Sequence, residues 1–126
     1  MKKRIYYHDT DAGTVVYYGN YLKFLEEART EYLEERGFLI KELALSGTMF
    51  VVARQEIDYK YPSFYGDILD IVTYVTKVSA VKIEFENEIK NQSGQLIAKA
   101  KTILVCVSPD LRPKALPDEL RERILS

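Results

Sequence analysis

A chain of 126 residues, 47% hydrophobic and 29% charged, has the length and balance of one folded domain with one core. Its formal net charge of -1, from 18 basic and 19 acidic residues, excludes the dominant basic face that nucleic acid or an anionic membrane surface requires. A single cysteine and a single histidine exclude an intrachain disulfide and argue against a His/Cys metal cluster, and no apolar run approaches the ~20 residues that span a bilayer.

The start, Met1-Lys2-Lys3-Arg4, is basic, but Tyr6 to Asp11 is too polar for the core of a signal peptide. The expectation is therefore a cytoplasmic protein in which residues 1–126 form one domain. Lys3 to His8 predicts a short strand, followed by a turn over Asp9 to Gly13. Asn20 to Arg36 predicts an amphipathic helix: Tyr21, Leu25, Ala28 and Tyr32 share one face, and Glu residues dominate the other. Gly37 suits the left-handed position just past its end, and Asn20 suits its N-cap. Phe38 to Ser46 predicts a shorter helix stopping at Gly47.

Beyond Gly47 the hydrophobic period changes to two. Strands are predicted over Met49 to Tyr61, Asp67 to Val78, Val81 to Ile89 and Gln95 to Ser108, with Asn91-Gln92-Ser93-Gly94 as a hairpin turn. A proline-marked tail ends in a short helix from Pro117 to Leu125. One long helix and about four long strands joined by short turns imply an α+β fold, an antiparallel sheet with the helix on one face. Ile103 to Val107 is apolar on both faces. A second cover from another subunit is expected there, hence an oligomer.

Several segments then carry a resemblance. They are Tyr7-x-Asp9-Thr10-Asp11-Ala12-Gly13-x-Val15-Val16-Tyr17, Asn20-Tyr21 and the helical Phe24-x-Glu26-x-Ala28-Arg29-Thr30-Glu31. Val51-Val52, Tyr59, Pro62, Asp67, Val105-Cys106-Val107 and Lys114-Ala115-Leu116-Pro117 follow in order. The sequence resembles hotdog-fold acyl-CoA thioesterases of the 4-hydroxybenzoyl-CoA thioesterase type and the related enzymes encoded with the Tol–Pal system. The resemblance implies a sheet wrapped around one long helix, with subunits paired edge to edge and dimers joined into tetramers. It also implies active sites at subunit interfaces, acyl-CoA as substrate, and no cofactor or metal. It places the catalytic carboxylate at Asp11. Where the Tol–Pal-associated enzymes carry a histidine this chain has Tyr18, as in the hydroxybenzoyl type, which favours a backbone role for that position.

The residues support such chemistry. Asp11 can attack a thioester carbon to give a mixed anhydride, or it can activate a water; the sequence leaves both open. The backbone N–H groups of Tyr18 and Gly19, just ahead of the helix, can polarise the thioester oxygen. Gly13, Val16 and Tyr17 are expected in the substrate-binding segment, Gly13 through a positive φ or a close backbone approach. Lys77 and Lys82, with Arg112 and Lys114, are candidates for the phosphates of CoA. Asp9 is expected to brace the turn, and Cys106 to be a buried, inert thiol. His8 should be partly exposed and directed away from Asp9, because neighbours in a strand face opposite ways. Tyr59, Tyr61, Phe64 and Tyr65 are expected mostly in core or interface packing. Two rival functions share these features. One is a hydratase or dehydratase acting on acyl thioesters, and the other a noncatalytic module binding acyl-CoA or acyl carrier protein.

Overall fold

In the computed structural model, which describes residues 1–12 and 14–125, the elements follow the order β1 (Lys2–Arg4), a 3-10 turn (Tyr7–Asp9), β2 (Thr10–Asp11), β3 (Val15–Val16), α1 (Asn20–Glu35), α2 (Ile40–Leu45), β4 (Met49–Tyr59), β5 (Ile68–Val78), β6 (Lys82–Lys90), β7 (Leu96–Val107) and α3 (Asp118–Arg123). The long helix forms where the apolar stripe predicts, burying Tyr21, Phe24, Leu25, Ala28, Tyr32 and Leu33. It stops where glycine permits. Gly37 takes φ +89°, and the N–H groups of Gly37 and Phe38 donate to Glu34 O and Leu33 O at 2.9 Å each. Two carbonyls left over at the helix end are satisfied in this way. The end of α2 repeats the device, with Gly47 and Thr48 donating to Ala44 O and Leu43 O.

Five strands form one antiparallel sheet in the order β1-β5-β6-β7-β4, and β2 and β3 pair separately. In β6 the side chains at 83, 85, 87 and 89 are buried and their neighbours are not, so this strand presents one face to α1. The core has two apolar clusters. One lies around the start of α1 with Leu69, Ile71, Ile89 and Ile97. The other lies around its end with Ile83, Phe85, Leu104 and Leu120. Buried Arg29, Asn87 and Thr102 sit between residues of the two clusters on α1, β6 and β7. Arg29 Nη1 donates to Thr102 Oγ1 at 3.3 Å, Thr102 Oγ1 to Gln55 Oε1 at 2.8 Å, and Asn87 Nδ2 to Thr73 Oγ1 at 2.8 Å. No described helix is long and apolar enough to cross a membrane.

Three expectations about elements are corrected. The first strand stops at Arg4 rather than His8, because Asp9 turns the chain back: its Oδ2 accepts Tyr6 N–H at 2.9 Å and its own N–H donates to Tyr6 O. The strand after Gly47 ends at Tyr59 rather than Tyr61, since Lys60 and Tyr61 both donate to Ile97 O and the ladder can advance no further. Asn20 is the first helical residue and Gly19 occupies the N-cap. The Asn20 side chain instead donates from Nδ2 to Asp9 O at 2.8 Å.

β4 lies at the edge of the sheet, bonded on one side only. Met49, Val51, Val52 and Tyr59 along it are exposed. An eleven-residue edge with apolar side chains and free backbone groups is a template for pairing with another strand.

Candidate active site

Asp9 organises the segment between the first strand and the long helix. It is 3% exposed, and its carbonyl accepts both Tyr17 N–H at 3.0 Å and the Asn20 side chain. The small hairpin is thereby tied to the helix start. Thr10 pairs with Val16 and Asp11 with Val15. Val16 N–H in turn donates to Ser63 O at 2.8 Å, fastening the hairpin to the loop before β5. Ser63 is fully buried, and its Oγ accepts the Tyr21 hydroxyl at 2.9 Å. Its part in holding the hairpin leaves no mark in the sequence, where it is one serine after a proline.

Asp11 follows at the turn end of this hairpin, beside Ala12 at φ +50°. Its backbone carbonyl is occupied by the N–H and Oγ1 of Thr14. Its side chain is exposed, and among the described residues nothing donates to the carboxylate. The two aspartates are thus sorted by their surroundings: Asp9 is buried and committed, Asp11 is exposed and uncommitted. Tyr17 is close enough to feel that charge. Its phenol is pushed up, chiefly by the neighbouring Tyr18 phenol and last by Asp11.

The start of α1 is wound tightly. Asn20, Tyr21 and Leu22 donate to the carbonyls of Tyr17, Tyr18 and Gly19 at 2.9, 3.3 and 3.2 Å. Amides that a helix ordinarily leaves open in its first turn are here already bonded. The N–H groups of Tyr18 and Gly19, one step upstream, find no acceptor among the described residues. Gly19 has helical angles, φ -65° and ψ -23°, so its backbone would accept any residue. A side chain here would instead meet Tyr17, whose Cε2 lies 2.6 Å from where a Cβ would sit.

Aromatic side chains surround this corner. Tyr7 meets Tyr65 edge-on with centroids 6.0 Å apart, and Tyr17 meets Tyr18 at 4.8 Å. Of the core or interface packing expected for Tyr59, Tyr61, Phe64 and Tyr65, the core is not where they lie: all are between 41% and 57% exposed within the single chain. The reason is positional: Tyr59 ends the open edge strand, and the other three lie in the loop outside the sheet.

Val16 is buried in the core, Tyr17 lies at the surface beside Asp11, and Gly13 lies outside the described residues. His8 is exposed as expected, its side chain at 79%, but its Nδ1 lies 3.5 Å from Asp9 Oδ1. The expectation that they diverge assumed a strand, and Tyr7–Asp9 is a 3-10 turn. Lys77 and Lys82 share a groove of about 370 Å³ with Ser79, Val81, Glu84 and Ile103. That groove is far from the Tyr59 end of the sheet within one chain. Lys82 stands opposite Val105, and Tyr59, at the Tyr18 end, opposite Ala98. About seven residues of strand separate the two levels, roughly 23 Å. Arg112 and Lys114 are engaged locally, with Asp110 at 3.3 Å and Gly47 O at 3.1 Å. Cys106 is fully buried, and burial pushes its thiol up.

A second cavity, of about 340 Å³, opens between α1, α2 and the Met49 end of β4, lined by Arg29, Leu33, Ile40, Phe50 and Val52 among others. Sequence reasoning did not single it out, because it depends on how α2 folds back over the sheet.

Comparison with known proteins places this geometry. The family model described as the thioesterase-like superfamily matches residues 6–124. The acyl-CoA thioester hydrolase YbgC of Escherichia coli is 37% identical over 118 residues, 93% of this chain and 88% of that one. A 1,4-dihydroxy-2-naphthoyl-CoA hydrolase of Nostoc punctiforme is 32% identical over 120 residues, 94% of this chain and 80% of that one. The crystal structure of Slr0204, a 1,4-dihydroxy-2-naphthoyl-CoA thioesterase from Synechocystis, superposes with a TM-score of 0.90 at 27% identity, covering 98% of this chain and 93% of that one.

Proposed function

The chain belongs to the thioesterase-like superfamily, with the hotdog fold of that group, and from that membership we propose that it hydrolyses an acyl-CoA to free acid and CoA through Asp11. The observation that carries the proposal is an exposed carboxylate in the same segment as two amides ahead of a helix, all three without a hydrogen-bond partner among the described residues. The Tyr18 and Gly19 N–H groups receive the thioester oxygen as negative charge develops on it. In another enzyme class, one such donor contributes about 3–4 kcal/mol to transition-state stability. Asp11 then acts in one of two ways. As nucleophile, it bonds to the acyl carbon and expels CoA thiolate, leaving a mixed anhydride that water cleaves. As general base, it takes a proton from the water that attacks directly.

The same reading makes the enzyme a cytoplasmic homo-oligomer, edge-paired dimers joined in twos, with each site built across an interface. Two observations support this. The β4 edge is long, exposes Met49, Val51, Val52 and Tyr59, and is bonded on one side only among the described residues, and Lys82 stands about seven strand residues, roughly 23 Å, from the level of Tyr59 within one chain. Antiparallel pairing of β4 with its copy would set the Met49 end of one chain beside the Tyr59 end of the other. The lysine groove would then approach the partner's catalytic corner.

The test is thiol release from a panel of acyl-CoAs varied in length and aromaticity, with particle mass measured in parallel. Release of CoA from at least one member by a multimer is expected. Saturable CoA binding with no thiol released across the panel would favour a binding module. Hydration of crotonyl-CoA without thiol release would favour a hydratase. Either result overturns the proposal.

A further inference from the structure

Tyr59, the last residue of β4, reaches the helix start from 41 residues away in sequence. Its ring stands edge-on to that of Tyr18, centroids 6.3 Å apart at 81°, and packs 5.6 Å from that of buried Tyr21. Its hydroxyl donates to the Tyr18 carbonyl oxygen at 3.3 Å. The same oxygen accepts the Tyr21 N–H, also at 3.3 Å. Two donors from different elements therefore converge on one carbonyl.

That carbonyl shares a rigid plane with the Gly19 N–H, which points the opposite way. Fixing the oxygen fixes the direction of the N–H. Donation to the oxygen also polarises the peptide, so the N–H beyond it becomes a stronger donor. Resting on the reading of the Tyr18 and Gly19 amides as donors to the thioester oxygen, we propose that Tyr59 is a positioning residue. Its hydroxyl holds the Tyr18–Gly19 peptide with the Gly19 N–H turned toward the substrate carbonyl, and it does so without touching the substrate. Burial pushes the Tyr59 phenol up, so it stays protonated and able to donate at neutral pH. The position of the edge strand is thereby transmitted to the catalytic corner.

Tyr59→Phe keeps the ring contacts and removes only the hydroxyl. With the best substrate from the panel, kcat should fall about fivefold while KM stays within about twofold, the mark of an interaction made in the transition state. A purely structural role would not alter the substrate's own carbonyl, so infrared spectroscopy supplies the second readout. A ¹³C-carbonyl acyl-CoA is bound to Asp11→Asn, with and without Tyr59→Phe, and the thioester stretch is compared with that of free substrate. The expected result is a band lowered in Asp11→Asn and moved back toward the free value in the double variant. A band lowered equally in both overturns the role of Tyr59 alone. A band at the free value in both overturns the amide reading as well.

Discussion

Gly19→Ala is a small perturbation with a large expected effect on catalysis and a small one on stability. The angles at Gly19 are helical, so alanine meets no backbone strain, and the change at an N-cap position, where alanine ranks below glycine, costs up to about 1 kcal/mol. The added Cβ, however, would lie 2.6 Å from Tyr17 Cε2 and 3.3 Å from its Cδ2. Carbon atoms rest at about 3.5–4.0 Å, so the ring or the peptide must move by roughly 1 Å. The Tyr17 ring lies tilted at 45° against that of Tyr18, centroids 4.8 Å apart, so a shift of the ring presses on the residue whose N–H, with that of Gly19, is proposed to hold the thioester oxygen. A displacement of about 1 Å at such a site can cost on the order of 100-fold in rate. The expected outcome is kcat reduced about 10- to 100-fold, with a melting temperature within a few degrees of the parent. The assay is thiol release over a range of substrate concentrations, with thermal melting of the same sample. Tyr17→Ala removes the obstacle, so Gly19→Ala should cost far less in that background than alone. Full kcat in folded Gly19→Ala, or an equal loss in both backgrounds, would refute the reasoning.

Asp9→Ala leaves the Tyr6 N–H without its acceptor and should destabilise the fold by about 1–3 kcal/mol in denaturant titration. Asp9→Asn keeps an acceptor oxygen, so it should cost less stability and retain most of kcat. For Cys106, burial places the folded thiol's pKa above the unfolded one. Its contribution to stability is therefore complete below the ordinary thiol value of about 8.5 and is lost as pH rises past it. Alkylation at pH 8 should accordingly be slow in the native protein and fast in urea, which timed mass spectrometry will show.

How much of this was legible in the sequence depends on the range of the interaction. The α1 stripe, the glycine at its end and the alternation of β6 are local patterns, and each appears where the sequence places it. The first strand departs from its expected end because that end is set by a carboxylate reaching back from Asp9 to Tyr6, a contact that hydrophobic period cannot register. The same buried aspartate decided what happens to Asn20, whose side chain serves the hairpin instead of capping the helix. At the site, Asp11, Tyr18 and Gly19 sit in one continuous segment and could be named together. Ser63 and the Tyr59 hydroxyl reach that segment from the loop before β5 and the end of β4, so only tertiary structure reveals them. The buried Asn87 in the apolar face of β6 finds its partner in Thr73 of β5, which only the pairing of the two strands reveals.

The central claim is that Asp11, and not its buried neighbour, performs the chemistry on the thioester. The most direct test is single-turnover hydrolysis by Asp11→Asn beside Asp9→Asn, each shown to be folded by its melting curve. The account predicts a loss of at least about 100-fold for Asp11→Asn, in the range for a positioned acid–base group, and a loss of less than about tenfold for Asp9→Asn, whose amide still accepts from Tyr6. Undiminished turnover by folded Asp11→Asn, or the larger loss falling on Asp9, would contradict it.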